Sequence, residues 1–268
     1  MRIEIIMAAY NNVSAMRLVF EGYLRQQDSD FSLCMADDGS GPSVAQLVLE
    51  YQQKGLRIRH LWQDDRGFRK ALIVNQAIAS SDADYLILTD NDCIPSPQFI
   101  ADHRSWARPG HYVAGRRVDM KAPLTKQLLA GEVSGERLDS FLFLLRESLR
   151  DGLKRAENAI HPPAWLAELW SRKPWGLLGA NIGIWRSDML AVNGFDRDFE
   201  GYGCEESDLE WRLQAYGLRS RAARGRACLF HLYHPERQVD SATGEMLRRK
   251  KLVGRIVAER GISDHENV

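Results

Sequence analysis

Two groups of carboxylates and a pair of imidazoles are the side chains of this sequence whose types and spacing point most clearly to chemistry. Asp90-Asn91-Asp92 follows the apolar run Tyr85-Leu86-Ile87-Leu88-Thr89. Alternate residues of an extended segment share a face, so Asp90 and Asp92 can address one site. Oxygen ligands of this kind suit Mg²⁺ or Mn²⁺ bound together with a phosphate, although a solvated acidic turn has the same composition. Gly203-Cys204-Glu205-Glu206-Ser207-Asp208 opens a helix. Carboxylates there complement the helix dipole, or one of the two glutamates serves as a general base, raised in pKa by its neighbour and by burial. His231 and His234 follow the strand-like Ala227-Cys228-Leu229-Phe230, and either imidazole is spaced to join a metal site. Finally, Arg66-Gly67-Phe68-Arg69-Lys70 leads into a helix, where backbone amides and cations can cradle a phosphate.

These residues need elements to hold them. Short apolar runs at 3–8, 31–36, 56–62 and 85–89 read as buried strands, and 15–27, 44–53 and 69–79 carry helical periodicity. Strands alternating with helices predict βαβ units and a largely parallel sheet, whose ligands lie at the carboxyl ends of the strands. Ala9-Tyr10-Asn11, Asp37-Asp38 and Asp90-Asn91-Asp92 all fall at such ends. The stretch 127–159 is expected to be mostly helical, with Leu128, Leu129, Leu138, Phe141, Leu142, Leu144, Leu145 and Leu149 packing into the core. A Gly-rich strand and loop follows at 175–185, then short helices over 188–192 and 208–216.

The chain has 268 residues, 44% hydrophobic and 27% charged, enough for one large α/β domain. No apolar run reaches the roughly 18 residues of a membrane span, and the N-terminus lacks the features of a secretory signal. Cys34, Cys93, Cys204 and Cys228 show no CxxC pairing, which fits a reducing cytoplasm. Net charge is zero, which excludes a nucleic-acid binder acting through its overall field. Residues 211–260 nevertheless hold an excess of +8 and the remainder −8, so this segment is read either as a solvated surface or as a peripheral contact with an anionic membrane at the inner face. GxGxxG, GxxxxGK[ST] and GxSxG motifs are absent, which argues against a dinucleotide oxidoreductase, a P-loop kinase and a serine hydrolase.

Taken in order, the motifs resemble those of glycosyltransferase family 2. Ala8-Ala9-Tyr10-Asn11 is similar to the family's opening strand and turn, Asp37-Asp38-Gly39-Ser40 to its uracil and ribose loop, and Asp90-Asn91-Asp92 to its Asp-x-Asp metal motif. Asn193-Gly194-Phe195-Asp196 and Gly201-Tyr202-Gly203-Cys204-Glu205-Glu206-Ser207-Asp208 resemble a galactosyltransferase-type C-terminal segment with core Gly-Trp-Gly-Gly-Glu-Asp-x-Asp; Tyr202 replaces its Trp, Cys204 its second Gly and Glu206 its first Asp. The resemblance implies a Rossmann-like GT-A nucleotide-diphospho-sugar transferase fold, α/β with a mostly parallel central sheet flanked by helices. It implies one domain over 1–268: a nucleotide-binding half (1–95), an acceptor-binding half (96–235) shaped by the helical region 124–173, and a basic helical tail (236–268).

It further implies an inverting transfer from a UDP-sugar to a carbohydrate or lipid-linked saccharide acceptor, in surface polysaccharide or lipopolysaccharide synthesis. Mn²⁺ or Mg²⁺ would be held by Asp92, Asp90 and a histidine (His231 or His234). Asp38 would lie near the ribose, Asp37 or Tyr10 near the base, and Ala9, Asn11, Arg66, Gly67, Phe68, Lys70 and Asn91 around the nucleotide. Gly179, Ala180 and Asn181 would lie beneath the donor sugar, with Glu206, or else Glu205, as base. The rival readings are a metal-dependent nucleotide-sugar hydrolase or nucleotidyltransferase, and a non-catalytic nucleotide-sugar-binding subunit.

Overall fold

The computed structural model describes residues 1–199, 203–235 and 241–264. Its strands are β1 (Ile3–Ala9), β2 (Phe31–Asp37), β3 (Ile58–Trp62), β4 (Tyr85–Asp90), β5 (Cys93–Pro95), β6 (His111–Ala114), β7 (Arg117–Met120), β8 (Leu153–Lys154), β9 (Asn181–Trp185), β10 (Arg219–Ala222) and β11 (Leu229–His231). Its helices are α1 (Val13–Leu24), α2 (Pro42–Gln53), α3 (Lys70–Ala79), α4 (Phe99–Trp106), α5 (Ala122–Leu129), α6 (Phe141–Leu149), α7 (Ala164–Trp170), α8 (Arg186–Ala191), α9 (Glu205–Ala215) and α10 (Ser241–Val253).

Seven strands form the main sheet in the order β10-β6-β9-β4-β1-β2-β3, parallel throughout except that β9 runs against both its neighbours. The apolar runs of β1 and β4 are explained by burial on both faces. Ile3, Ile5 and Met7 of β1 pack into the core under α1 and α2, with Met16, Phe20, Leu47 and Tyr51. Ile6 enters the opposite core with Ile73, Ile78, Met189, Leu209 and Leu213 of α3, α8 and α9. Alternate residues thus serve the two cores in turn, as the period of a strand requires.

A second sheet, β5-β11-β7-β8, was not expected from the sequence. Its strands have two to four residues, too few to show a period. The 127–159 region also differs from expectation. It is a series of short pieces, and only Leu128, Leu138 and Leu144 of the leucines named there are buried, together with Phe143. Leu129, Phe141, Leu142, Leu145 and Leu149 are exposed. The nine-residue α6 lies on the surface, and Leu142, Leu145 and Leu149, spaced three and four apart, form one outward stripe. No helix among the described residues is long and apolar enough to cross a membrane.

Candidate active site

The sheet register brings the expected strand ends together. Ala9 stands opposite Asp37 and Ala8 opposite Asp90, so the exits of β1, β2 and β4 share one edge. Asn11 and Asn12 adopt left-handed conformations (φ 49° and 62°), which asparagine tolerates. That turn ties the exits to one another. The Asn11 amide donates to Ser40 Oγ at 2.7 Å, and the Asn91 amide nitrogen donates to the Asn11 carbonyl at 3.2 Å. Tyr10 is half exposed, and its hydroxyl donates to Asp65 Oδ2 at 2.9 Å.

Several residues assigned to the nucleotide do structural work here. Asp37 is fully buried; its Oδ1 accepts from the Ser40 amide at 2.8 Å and its Oδ2 pairs with His60 Nε2 at 2.8 Å. Both of its carboxylate oxygens are thus engaged within the protein. Asp38 accepts from Gln63 Nε2 and the Arg69 amide (2.5 and 2.7 Å), holding the 63–69 loop closed. Gly39 (φ 98°) permits that closure, since a Cβ there would meet Asp65 Cα at 2.6 Å. Ala9 is buried and offers its carbonyl to the Asp38 amide at 2.9 Å. Arg66 is exposed and pairs with Asp64, the Gly67 amide donates to Asp65 Oδ1, and Phe68 lies between these and α3.

Asn181, expected beneath the donor sugar, is buried. Its Nδ2 donates to the carbonyls of Arg116 and Ala227 (2.9 and 2.8 Å), and its Oδ1 lies 3.0 Å from His103 Nε2. An amide that joins three segments in the core is not available to a ligand. Ala180 is likewise buried. Gly179 packs against Glu206, since a Cβ built on it would lie 2.0 Å from Glu206 Oε1.

Two clusters flank the segment Asp90-Asn91-Asp92. In the first, Lys70 Nζ donates to Asp90 Oδ1 at 2.9 Å and lies 3.6 Å from Glu206 Oε1. Burial raises Glu206 above the ordinary glutamate range, the Lys70 cation opposes this, and Glu205 and Asp90 add to it. Burial acts to lower Lys70, but Asp90, Glu206 and Glu205 hold it above the usual lysine value. Glu205 is buried and accepts from the Gly203 amide at 2.9 Å, which leaves Glu206 as the glutamate facing the cleft group Lys70. Asp208, the last acid of that motif, is buried in a pair with Arg212 at 2.7 Å.

The second cluster is built by the small sheet. The register of β11 places His231 opposite Cys93 on one side and Asp119 on the other. Asp92 Oδ2 lies 3.6 Å from His231 Nε2 and 3.5 Å from His234 Nε2, while its Oδ1 accepts from the Cys93 thiol at 3.4 Å. One ligand atom each from Asp92, His231 and His234 falls within a span of 4.8 Å. Those separations approach the roughly 3 Å between adjacent ligands of an octahedral ion bound at about 2.1 Å. One carboxylate and two imidazoles make a mixed set that takes first-row divalent ions, Mn²⁺ among them, better than Mg²⁺ with its preference for oxygen, so the donors admit the expected Mn²⁺. Both histidines lie within that span, while Asp90 Oδ1 accepts from Lys70 Nζ and is not one of the three.

Burial acts to raise Asp92, and the two histidines outweigh it and hold the acid below its ordinary range. Burial disfavours the His231 cation, yet Asp119 and Asp92 raise it to about 8. Asp119 was not anticipated from the sequence. Its Oδ1 faces His231 Nδ1 at 3.6 Å, the arrangement that leaves Nε2 for a metal. Gly201 and Tyr202 of the C-terminal motif, and 236–240 of the basic segment, lie outside the described residues.

Comparison with known proteins converges on one class. Residues 4–150 match the profile of glycosyl transferase family 2, and residues 168–235 that described as the N-terminal domain of galactosyltransferase. The chain is 27% identical over 237 residues to validoxylamine A glucosyltransferase of Streptomyces hygroscopicus subsp. jinggangensis, covering 83% of this chain and 53% of that protein. It is 20% identical over 264 residues to chondroitin synthase of Escherichia coli, covering 91% and 37%. The chain therefore spans about half or less of the curated relatives it matches. Among solved structures, S. aureus TarS 1-349 in complex with UDP aligns with a TM-score of 0.64 at 12% identity, over 97% of this chain and 67% of that one. The mannosyltransferase PcManGT of Pyrobaculum calidifontis, in complex with GDP-Man and Mn²⁺, aligns with a TM-score of 0.58 at 17% identity, over 95% and 62%.

Proposed function

This chain belongs to glycosyl transferase family 2, and on that premise we propose that it moves a sugar from a UDP-sugar to a carbohydrate or lipid-linked saccharide acceptor with inversion at the anomeric carbon. Its fold is the GT-A fold, an α/β architecture with a mostly parallel sheet. The observation that carries the proposal is the meeting of two functions on one three-residue segment. Asp90 holds Lys70 beside Glu206, and Asp92 faces His231 and His234.

Glu206 acts as the general base, taking the proton from the acceptor hydroxyl as it attacks. A base with its pKa raised toward neutrality is suited to that task. Lys70, between Asp90 and Glu206, keeps the carboxylate oriented toward the cleft. Asp92, His231 and His234 would hold Mn²⁺ or Mg²⁺, which when bound supplies positive charge against the diphosphate of the leaving group. Tyr10, Asn11 and Asn91, at the rim formed by the exits of β1 and β4, line the nucleotide side. One displacement converts an α-linked donor into a β-glycoside.

We read 1–268 as one domain, which the sheet supports: β6, β9 and β10 of the second half extend the strands of the first. Surface polysaccharide or lipopolysaccharide synthesis is the setting we propose, with the protein on the cytoplasmic side. Peripheral membrane contact is confined by the ion pairing of the basic segment. Arg212 and Arg221 are buried, and Arg226, Arg248 and Lys250 pair with acids. Among the described residues Arg219, Arg249 and Lys251 are exposed with no acid at ion-pair distance, the last two on α10 beside exposed Leu252 and Val253, and these are the groups we assign to it.

The test is product analysis. Incubation with UDP-sugars, Mn²⁺ and saccharide acceptors is expected to release UDP in step with a β-linked product seen by NMR. Free sugar formed at the same rate without acceptor would instead establish a hydrolase, and nucleotide binding without turnover a binding subunit.

A further inference from the structure

About one turn of α9 from the base lies a pair of guanidinium groups that, among the described residues, have no carboxylate at ion-pair distance. Arg116 is 8% exposed. Its Nη2 donates to the Gly176 carbonyl at 2.9 Å, and its Nε is buried with no hydrogen-bond partner among the described residues. Its guanidinium lies 5.0 Å from the centre of the Trp175 ring. Arg224 lies 5.1 Å from the same ring and 4.4 Å from that of Trp170. Among the described residues neither arginine has a carboxylate at ion-pair distance. Stacking on indole accounts for their placement, but it does not cancel two like charges gathered on one ring. Burial lowers Arg116 to about 10; Glu210 opposes this, and the charges of Arg224 and Arg155 add to it.

The loop that carries Trp175 runs along α9 to the base. Gly176 packs against Glu210, with a Cβ position 3.2 Å from Oε2, and Gly179 packs against Glu206, one helical turn earlier. Trp175 precedes Gly179 by four residues, so their Cα atoms are at most about 14 Å apart. A group bound on the arginine pair is therefore within reach of a saccharide whose hydroxyl meets Glu206.

We propose that Arg116 and Arg224 bind an anionic substituent of the acceptor, so that this enzyme glycosylates a saccharide carrying a carboxylate, phosphate or sulfate on the unit being extended or on its neighbour. This rests on the transferase reading of the site. The planar fork of arginine matches each of these anions, and the anion satisfies the buried Nε and the paired charges together.

The test uses the full chain in Mn²⁺ and UDP. Intrinsic tryptophan fluorescence reads the binding of four aryl glycosides: the glucoside, the glucuronide, the glucoside 6-phosphate and the glucoside 6-sulfate. At least one charged probe is expected to bind about ten-fold or more tightly than the neutral one, the scale of one charge-assisted hydrogen bond, and the ranking identifies the anion. Arg224→Gln is expected to bring that ratio close to one while UDP affinity stays within about two-fold. Equal binding of charged and neutral probes, or binding of none, overturns the proposal. So does a loss of UDP affinity in Arg224→Gln, which would assign the pair to the donor diphosphate. Wild-type protein that binds no UDP in Mn²⁺ would instead count against the nucleotide-sugar site itself, so the two failures are told apart.

Discussion

Replacing Gly179 with alanine puts a methyl group where the carboxylate of Glu206 now sits. The new Cβ would lie 2.0 Å from Oε1, 2.6 Å from Cδ and 2.9 Å from Cγ. Ordinary contact between heavy atoms begins near 3.5 Å, so the carboxylate must retreat by more than about 1 Å. All three clashing atoms belong to one flexible side chain, and Gly179 does not occupy the left-handed region. The chain can therefore accommodate the methyl by moving Glu206 rather than by unfolding. That movement also breaks the 3.6 Å approach to Lys70. Misplacing a catalytic group by about 1 Å costs on the order of 10²-fold in rate, equivalent to about 2.7 kcal/mol of barrier. The assay is the steady-state kcat for acceptor-dependent UDP release, with Tm and UDP affinity in Mn²⁺ as controls. Gly179→Ala is expected to lose about two orders of magnitude in kcat and to keep both controls. A variant with unchanged Tm and more than about a third of wild-type kcat would refute the placement of the base against this loop.

Other outcomes follow from the same geometry. Glu206→Gln, nearly isosteric, should lower kcat by about 10² or more, and full turnover would transfer the role to Glu205. Because the base must be ionised, activity should rise with pH through a pKa above the ordinary glutamate range. Lys70→Met removes the cation that opposes that shift, leaving Glu205 and Asp90 to raise Glu206 further, so the acid limb of the kcat/KM profile should move to higher pH; an unmoved or lowered limb would contradict the pairing. Arg212→Met leaves Asp208 buried without its partner and should cost about 3–5 kcal/mol, a fall in Tm on the order of 10 °C. A loss under about 1 kcal/mol by denaturant titration would show that Asp208 is not charged in the fold.

The N-terminal half was legible because its strands are covered on both faces. Ile3-Glu4-Ile5-Ile6-Met7-Ala8 and Tyr85-Leu86-Ile87-Leu88-Thr89 read as continuous apolar runs, and turns rich in Asn, Asp and Gly mark their ends. The polar residues at those ends were also legible, but not their direction. Asp37 and Asn181 turn inward to satisfy buried backbone groups, and local sequence carries no sign of which way a polar side chain faces. The contact of His231 with Asp119 spans 112 residues and depends on strands of three and four residues, beyond the reach of any periodicity. The only trace of Asp119 is the alternation Arg117-Val118-Asp119-Met120, which puts the two charged residues on one face and the two buried apolar ones on the other. In α6 the amphipathic pattern is plain in the sequence and its orientation is not, since a stripe of leucines looks the same whether it faces core or solvent.

The central claim, a metal-assisted nucleotide-sugar site on Asp90-Asn91-Asp92, is tested most directly by calorimetric titration of UDP with and without Mn²⁺, in the wild type and in Asp92→Ala. Saturable UDP binding that requires Mn²⁺ in the wild type, and is lost in a folded Asp92→Ala protein, is the predicted result. UDP affinity that is the same with and without Mn²⁺, or that survives the loss of Asp92 unchanged, would contradict it.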